Sequence, residues 1–175
     1  VTGSVLEVGI GTGLNLLYYP PAVRRIHAVD VNQGMQRRAL RRMKQSGMAV
    51  DYRILDGEEL PFPSENFDSV VTTFTLCSIG PIEKALLEMR RVLKPGGKFF
   101  FLEHGKSDEA TVARWQNRLN SLENKIAVGC HLNRGIQDLI SQAGFKMERC
   151  DRFYLKATPK PWGAFYQGIA TPIAA

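Results

Sequence analysis

Three short stretches bring together residue types that can hold a nucleoside. Glu7-Val8-Gly9-Ile10-Gly11-Thr12-Gly13 sets glycines at alternate positions directly after an apolar run. Glycine lets a backbone turn tightly and come close to a ligand. A dinucleotide fingerprint would need its third glycine one residue later, where Leu14 stands. No Gly-Lys-Ser/Thr follows, so a P-loop is excluded. The turn suits a nucleoside that carries no phosphate, or else a bare strand-to-helix turn. Asp30 ends a second apolar run, where a carboxylate can accept both hydrogen bonds of a ribose diol. A lone Asp here could instead cap a helix that begins near Gln33, but its spacing from the glycine loop favours the ribose role. Asp56-Gly57-Glu58 follows a third run. There an acid can take a hydrogen bond from an adenine amino group while a backbone amide donates to the ring. Asp-Gly is also a strong turn signal in its own right.

Candidates for proton chemistry are fewer. His104 stands beside Glu103 at the end of a fifth apolar run, and His131 lies in Gly129-Cys130-His131. Either could act as a base or hold an acceptor, or be a satisfied structural histidine. His27 falls inside the second run and reads as structural. Cys77, Cys130, His104 and His131 match no structural zinc spacing, so no metal site is expected. No base is paired in sequence with a cysteine nucleophile.

Strands alternating with helix-length segments must position these groups. The strands read Ser4 to Val8, Arg25 to Asp30, Val50 to Ile54, Phe67 to Phe74 and Lys98 to Leu102, with Met147 to Leu155 and Ala164 to Ala170 last. Phe99 to Leu102 is nearly continuous apolar sequence and is expected to be buried. Helices read Gln33 to Gln45, Ile82 to Leu93 and Asp108 to Val128, the last with a stripe of Val112, Trp115, Leu119, Leu122 and Ile126. A further helix carries Ile136, Leu139 and Ile140, with Asn133 as its cap. Lys94-Pro95-Gly96-Gly97 reads as a turn and Lys156 to Gly163 as a loop. This pattern implies an α/β, Rossmann-like doubly wound sheet, mainly parallel. Such sheets bind ligands beyond the carboxyl ends of their strands, where all three motifs fall.

Composition agrees with a globular chain: 175 residues, 44% hydrophobic and 23% charged. A net charge of +6 allows contact with phosphates or an anionic membrane without requiring either. No apolar run approaches a membrane span and no signal peptide is visible. Three cysteines at unrelated spacings suggest a reducing, cytoplasmic compartment rather than a disulfide framework.

The chain resembles the class I S-adenosylmethionine-dependent methyltransferases over nearly its whole length. The resemblance rests on Val5 to Gly13, Asp30, Asp56-Gly57, Phe67-Asp68 and Arg91-Val92-Leu93-Lys94-Pro95-Gly96-Gly97. Within the class it is similar to the type 11 group of ubiquinone and menaquinone biosynthesis enzymes. A narrower similarity, to the membrane-anchored methyltransferase-like 7 thiol methyltransferases, rests on Leu76-Cys77-Ser78, Glu103-His104 and Gly129 to Arg134. The resemblance implies one domain with a seven-stranded sheet whose last strand is antiparallel. It implies S-adenosylmethionine as cofactor, with Glu7, Gly9, Gly11 and Gly13 on the methionine side. Asp30 and Val31 would hold the ribose, Asp56 and Gly57 the adenine, and Thr75 would border the pocket. These enzymes usually carry helices before strand one; here strand one starts within a few residues, so such helices are expected to be lacking.

Methyl transfer from a sulfonium is an in-line displacement, in which positioning supplies much of the catalysis. The expected acceptor is a small molecule or lipid-like, with peripheral membrane contact allowed by the basic surface. The competing readings are an RNA methyltransferase, favoured by the basic stretch Arg37 to Lys44, and a module that holds the cofactor without turnover. No stacking motif supports nucleic-acid binding, and Leu14 argues against a nicotinamide oxidoreductase.

Overall fold

A computed structural model of the protein describes residues 1–127 and 129–173. The chain runs through β1 (Val5–Val8), a 3-10 turn (Leu14–Leu17), β2 (Arg25–Asp30), a second 3-10 turn (Gln33–Met35), α1 (Gln36–Ser46) and β3 (Ala49–Ile54). Then follow β4 (Phe67–Thr73), α2 (Ile82–Val92), β5 (Leu93–His104), α3 (Ala110–Ile126) and α4 (Ile136–Gln142). The chain closes with β6 (Phe145–Tyr154), α5 (Lys160–Gly163) and β7 (Ala164–Pro172). The strands form one seven-stranded sheet in the order β3-β2-β1-β4-β5-β7-β6. Neighbours from β3 to β5 pair in parallel, and β7 runs antiparallel to both β5 and β6. The expected architecture and its antiparallel last strand are therefore present.

Period-two alternation splits the apolar residues between two layers. Leu6, Val8, Val70, Phe99 and Phe101 face Leu86 and Met89 of α2 and Ile136 and Ile140 of α4. Val5, Ile26, Ala28 and Val71 face Leu16, Val23 and Met43 on the other side. The fifth strand is consequently not buried throughout: Phe99 and Phe101 are, while Phe100 and Leu102 are only half-buried.

Several local expectations change. Lys94 to Gly97 is drawn into β5 as an irregular lead-in, with a register break between Phe67 and Ser69. Asn133 does not cap α4; Gly135 precedes that helix, and the Asn133 amide donates to Asn117 instead. The segment before β7 contains the short α5 rather than only a loop. Only part of the apolar stripe on α3 packs inward, at Val112 and, half-buried, Leu119. Val112, Ala113 and Gln116 are buried there, while Trp115, Leu122 and Ile126 are exposed. Val128, the expected end of that helix, lies outside the described residues. Buried residues on this helix recur around Val112 and Gln116, so the stripe is offset by about a quarter turn from the packed face.

Candidate active site

The glycine loop leaves β1 and folds back over β2. Gly9 N–H donates to Val29 O at 2.8 Å, and Gly9 takes a φ of +77°. A Cβ on Gly9 would lie 2.1 Å from Thr75 Oγ1, so only glycine lets the loop meet the segment after β4. Asp30 ties the loop down. Its Oδ2 accepts from Gly11 N at 2.6 Å and its Oδ1 from Asn32 N at 2.7 Å. The helix-cap role belongs to Asn32, whose side chain accepts from Gly34 N at 2.9 Å.

Glu7 is buried, with its carboxylate turned into the protein. It accepts from Asn15 Nδ2 at 2.9 Å and from the Tyr19 hydroxyl at 3.0 Å. Burial pushes its pKa up to about 7, against the lowering by those two hydrogen bonds. Asp56 is exposed and accepts from Glu58 N at 3.2 Å, the geometry of a surface turn. Gly57 is buried, and a Cβ there would sit 3.1 Å from Val8 Cγ1. The backbone at Gly57 thus lies against the end of β1. Around the strand ends, Leu14, Val31, Met35, Ile54 and Phe74 are exposed apolar residues, an arrangement that a nucleoside could cover.

One acid that the motif reading passed over organises the other half of the site. Glu103 is completely buried at the end of β5, and its Oε2 accepts from both Thr75 N (2.9 Å) and Leu76 N (3.0 Å). Burial, then the neighbouring Cys77, push its pKa up to about 8. The sequence signal was its position beside His104 at a strand end, where a buried acid needs a structural reason. Glu103 holds the segment Thr75 to Ser78 in place, and Thr75 Oγ1 in turn donates to Thr73 O at 3.1 Å.

His104 is buried as well. Its Nε2 lies 3.3 Å from Pro161 O, its ring packs edge-on to Phe165, and its Nδ1 has no partner among the described residues. Burial holds its pKa below the usual histidine value. With Nε2–H donating to the carbonyl, Nδ1 keeps its lone pair.

The loop after α3 docks on this same region. His131 N–H donates to Cys77 O at 2.8 Å, and the Arg134 guanidinium donates to Leu76 O. Lys106 N–H donates to Arg134 O at 2.8 Å, fastening the loop to the end of β5 as well. The side-chain amides of Asn120 and Asn124 flank the His131 ring, 3.3 Å from Nδ1 and 3.0 Å from Nε2; both present N–H groups, so the neutral ring accepts from one of them. His27, by contrast, is remote from these groups and structural, 3.0 Å from Asp51 and packed against Phe62 and Phe67. Among the described residues no cluster of acids, histidines and cysteines could hold a metal ion.

Comparison with known proteins gives this geometry a family. Residues 6–101 match the family described as methyltransferase domain. The chain belongs to that family. Among curated methyltransferases, it is 35% identical to the thiol S-methyltransferase TMT1B of Rattus norvegicus, over 81% of this chain and 59% of that one. It is 34% identical to the phosphatidylethanolamine N-methyltransferase of Cereibacter sphaeroides, over 77% of this chain and 66% of the relative. The chain thus spans about three-fifths to two-thirds of the length of these relatives. A Methanosarcina mazei protein solved as a SAM-dependent methyltransferase shares the fold, with a TM-score of 0.79, 18% identity and coverage of 99% and 94%. The [4+2]-cyclase SpnF shares it too, at a TM-score of 0.77 and 20% identity, covering 99% of this chain and 76% of that one. Two chemistries on one fold mean that function must be argued from the site. S-adenosylmethionine is the cofactor of this methyltransferase family. A glycine loop without pyrophosphate spacing, a carboxylate at the end of β2 and an apolar rim fit such a group.

Proposed function

We propose that this methyltransferase domain transfers a methyl group from S-adenosylmethionine to a small-molecule or lipid-like acceptor. One observation carries the reading. The short segment Thr75 to Ser78 touches the glycine loop on one side and the Cys130 to Arg134 loop on the other. A donor held by the first and an acceptor held near the second would meet across it. The bound cofactor supplies an electrophilic methyl on a positively charged sulfur.

The chain's own residues bind, orient and move a proton. The backbone at Gly9, Gly11 and Gly13 receives the methionine side, and Glu7 acts from beneath by fixing Asn15 and Tyr19. Asp30, with Val31 against the sugar, accepts from the ribose, its remaining lone pairs being free of the two amides it already holds. Asp56 and Gly57 meet the adenine, and Thr75 closes the pocket. His104, neutral near pH 7 with Nδ1 buried and unpartnered among the described residues, takes the proton of an acceptor that must lose one and that enters far enough to reach it. His131, flanked by Asn120 and Asn124, fastens the acceptor-side loop. The domain works in a reducing, cytoplasmic setting, with peripheral contact to a membrane surface through α3.

Calorimetry with S-adenosylhomocysteine and NAD side by side tests the cofactor, and a labelled-methyl assay on small thiol, quinone and phospholipid acceptors tests the reaction. Binding of S-adenosylhomocysteine but not NAD is expected. His104→Ala should lower turnover on the true acceptor about 10²–10⁴-fold, the usual range for a general base, with cofactor affinity unchanged. No heat with S-adenosylhomocysteine overturns the reading, and full turnover by the variant removes His104 from the proton step.

A further inference from the structure

Cys77 and Cys130 come from opposite sides of the acceptor region and meet. Cys77 follows β4 in the segment that Glu103 holds, and Cys130 lies in the loop after α3. The backbones are pinned together beside the sulfurs: His131 N–H donates to Cys77 O at 2.8 Å, and Arg134 donates to Leu76 O. A Cβ on Gly129 would lie 3.4 Å from Ser78 O, so the two strands of chain run in contact on both sides of the pair. The two thiols are neighbours across this seam, and each is the largest influence on the other's pKa, raising that of Cys77 and lowering that of Cys130. The bond from His131 N–H to Cys77 O sets Cys130, one residue before His131, beside Cys77, and a disulfide needs neighbouring backbones of this kind.

We propose that Cys77 and Cys130 form a reversible dithiol–disulfide site that reacts with low-molecular-weight disulfides and, when oxidised, ties the Gly129–Arg134 loop to the segment after β4. The two thiols are not equivalent, and the difference sets the order of events. Cys77 is 3% exposed, and its thiol is pushed up by the hydrogen bond to Cys130 and by burial. Cys130 is half-buried, and the same hydrogen bond holds its thiol below the usual value; Arg134 adds to this, while Glu123 and Glu103 oppose it. The accessible sulfur is thus also the more ionised one, which is the condition for attack.

The chemistry balances with a small disulfide as the oxidant. The Cys130 thiolate attacks one sulfur of the reagent, forms a mixed disulfide and expels one thiolate, which takes up a proton. Cys77 loses its proton, attacks Cys130 Sγ, forms the protein disulfide and expels the second thiolate. Two protein thiols are oxidised and one small disulfide is reduced to two thiols. Cys150, half-buried on β6 and raised by burial, has no thiol partner and serves as an internal control. The site does not depend on the methyltransferase reading, because its test measures bonds between sulfurs.

The experiment treats the intact chain with oxidised glutathione at pH 7.5, blocks free thiols with iodoacetamide and maps peptides by mass spectrometry. The expected product links the peptides of Cys77 and Cys130, with Cys150 alkylated, and dithiothreitol reverses it. Cys77→Ser should trap glutathione on Cys130. Cys130→Ser should leave Cys77 unmodified in the folded chain. Oxidation should raise the melting temperature by about 5–10 °C, the size expected for a cross-link in a domain of this length. A stable glutathione adduct on Cys130 of the unmutated chain, a link to Cys150, or three alkylated cysteines after treatment would each overturn the proposal.

Discussion

Glu103 carries two opposed demands in a single carboxyl group. It must accept hydrogen bonds from Thr75 N and Leu76 N, and it must do so without water. Desolvation prevails, and its pKa is pushed up to about 8 from an ordinary 4.5. A folded-state pKa above the unfolded one means that the folded chain binds the extra proton. The stability contributed is present below about pH 4.5 and is lost as pH rises through about 8. Glu103→Gln keeps an oxygen for both amides and carries no charge at any pH. Its stability relative to the unmutated chain should therefore grow between pH 5 and pH 8, as read from urea unfolding at a series of pH values. Glu7 shares part of the same window, up to about 7, so the variant flattens the profile only in part. His104 and His131 pull the other way, since their lowered values weaken the fold as pH falls through the histidine range. A stability difference between Glu103→Gln and the unmutated chain that stays constant with pH would mean that the carboxyl is not the proton carrier assigned here.

At the scale of elements, the glycine loop and the segment after β4 are fitted to each other rather than merely adjacent. Gly9 is where they touch, and it combines a left-handed backbone with no room for a methyl group. Gly47, which ends α1, shares the left-handed φ at +67°, yet a Cβ there meets nothing within 4 Å. The pair separates backbone strain from steric fit. Gly47→Ala should cost about 1–2 kcal/mol and leave cofactor affinity alone. Gly9→Ala carries that strain plus overpacking against Thr75, about 2–4 kcal/mol in all, and should lower the melting temperature by about 5–15 °C. It should also abolish the calorimetric signal for S-adenosylhomocysteine. Equal costs at the two positions would show that Thr75 moves aside easily.

For the whole molecule, charge and exposed apolar surface meet on α3. Trp115, Leu122 and Ile126 are 54%, 58% and 69% exposed, and Arg114, Arg118 and Lys125 are exposed on the same helix. The described residues contain no helix long and apolar enough to cross a membrane. An apolar stripe flanked by basic residues can instead lie in the interface of an anionic bilayer. Asn120 and Asn124 of this helix hold His131, so a bilayer under α3 would sit beside the proposed acceptor side. The chain should cosediment with phosphatidylserine-containing vesicles, less so at high salt, and the Trp115→Ser/Leu122→Ser/Ile126→Ser variant should not. Sedimentation that ignores both salt and the triple substitution would remove this face from consideration.

Sequence alone determined the architecture, because periodicity and punctuation are local properties of the chain. The apolar runs, the glycines after β1 and the acids at the strand ends already point to a nucleoside-type site beyond the carboxyl ends of a mainly parallel sheet. Tertiary structure decided what each polar group faces. Asp30 binds the glycine loop while Asn32 takes the cap, and Glu7 turns inward to Asn15 and Tyr19. The α3 stripe was legible as a stripe but not as an exposed one, since amphipathic spacing gives a face and not what covers it. Glu103 escaped because a lone acid at a strand end has no spacing signature; its role appears only when the amides of Thr75 and Leu76 converge on it. The meeting of Cys77 with Cys130 was equally out of reach. Contact across separate elements depends on how α3 returns the chain to the sheet, and no local pattern in the sequence encodes that return.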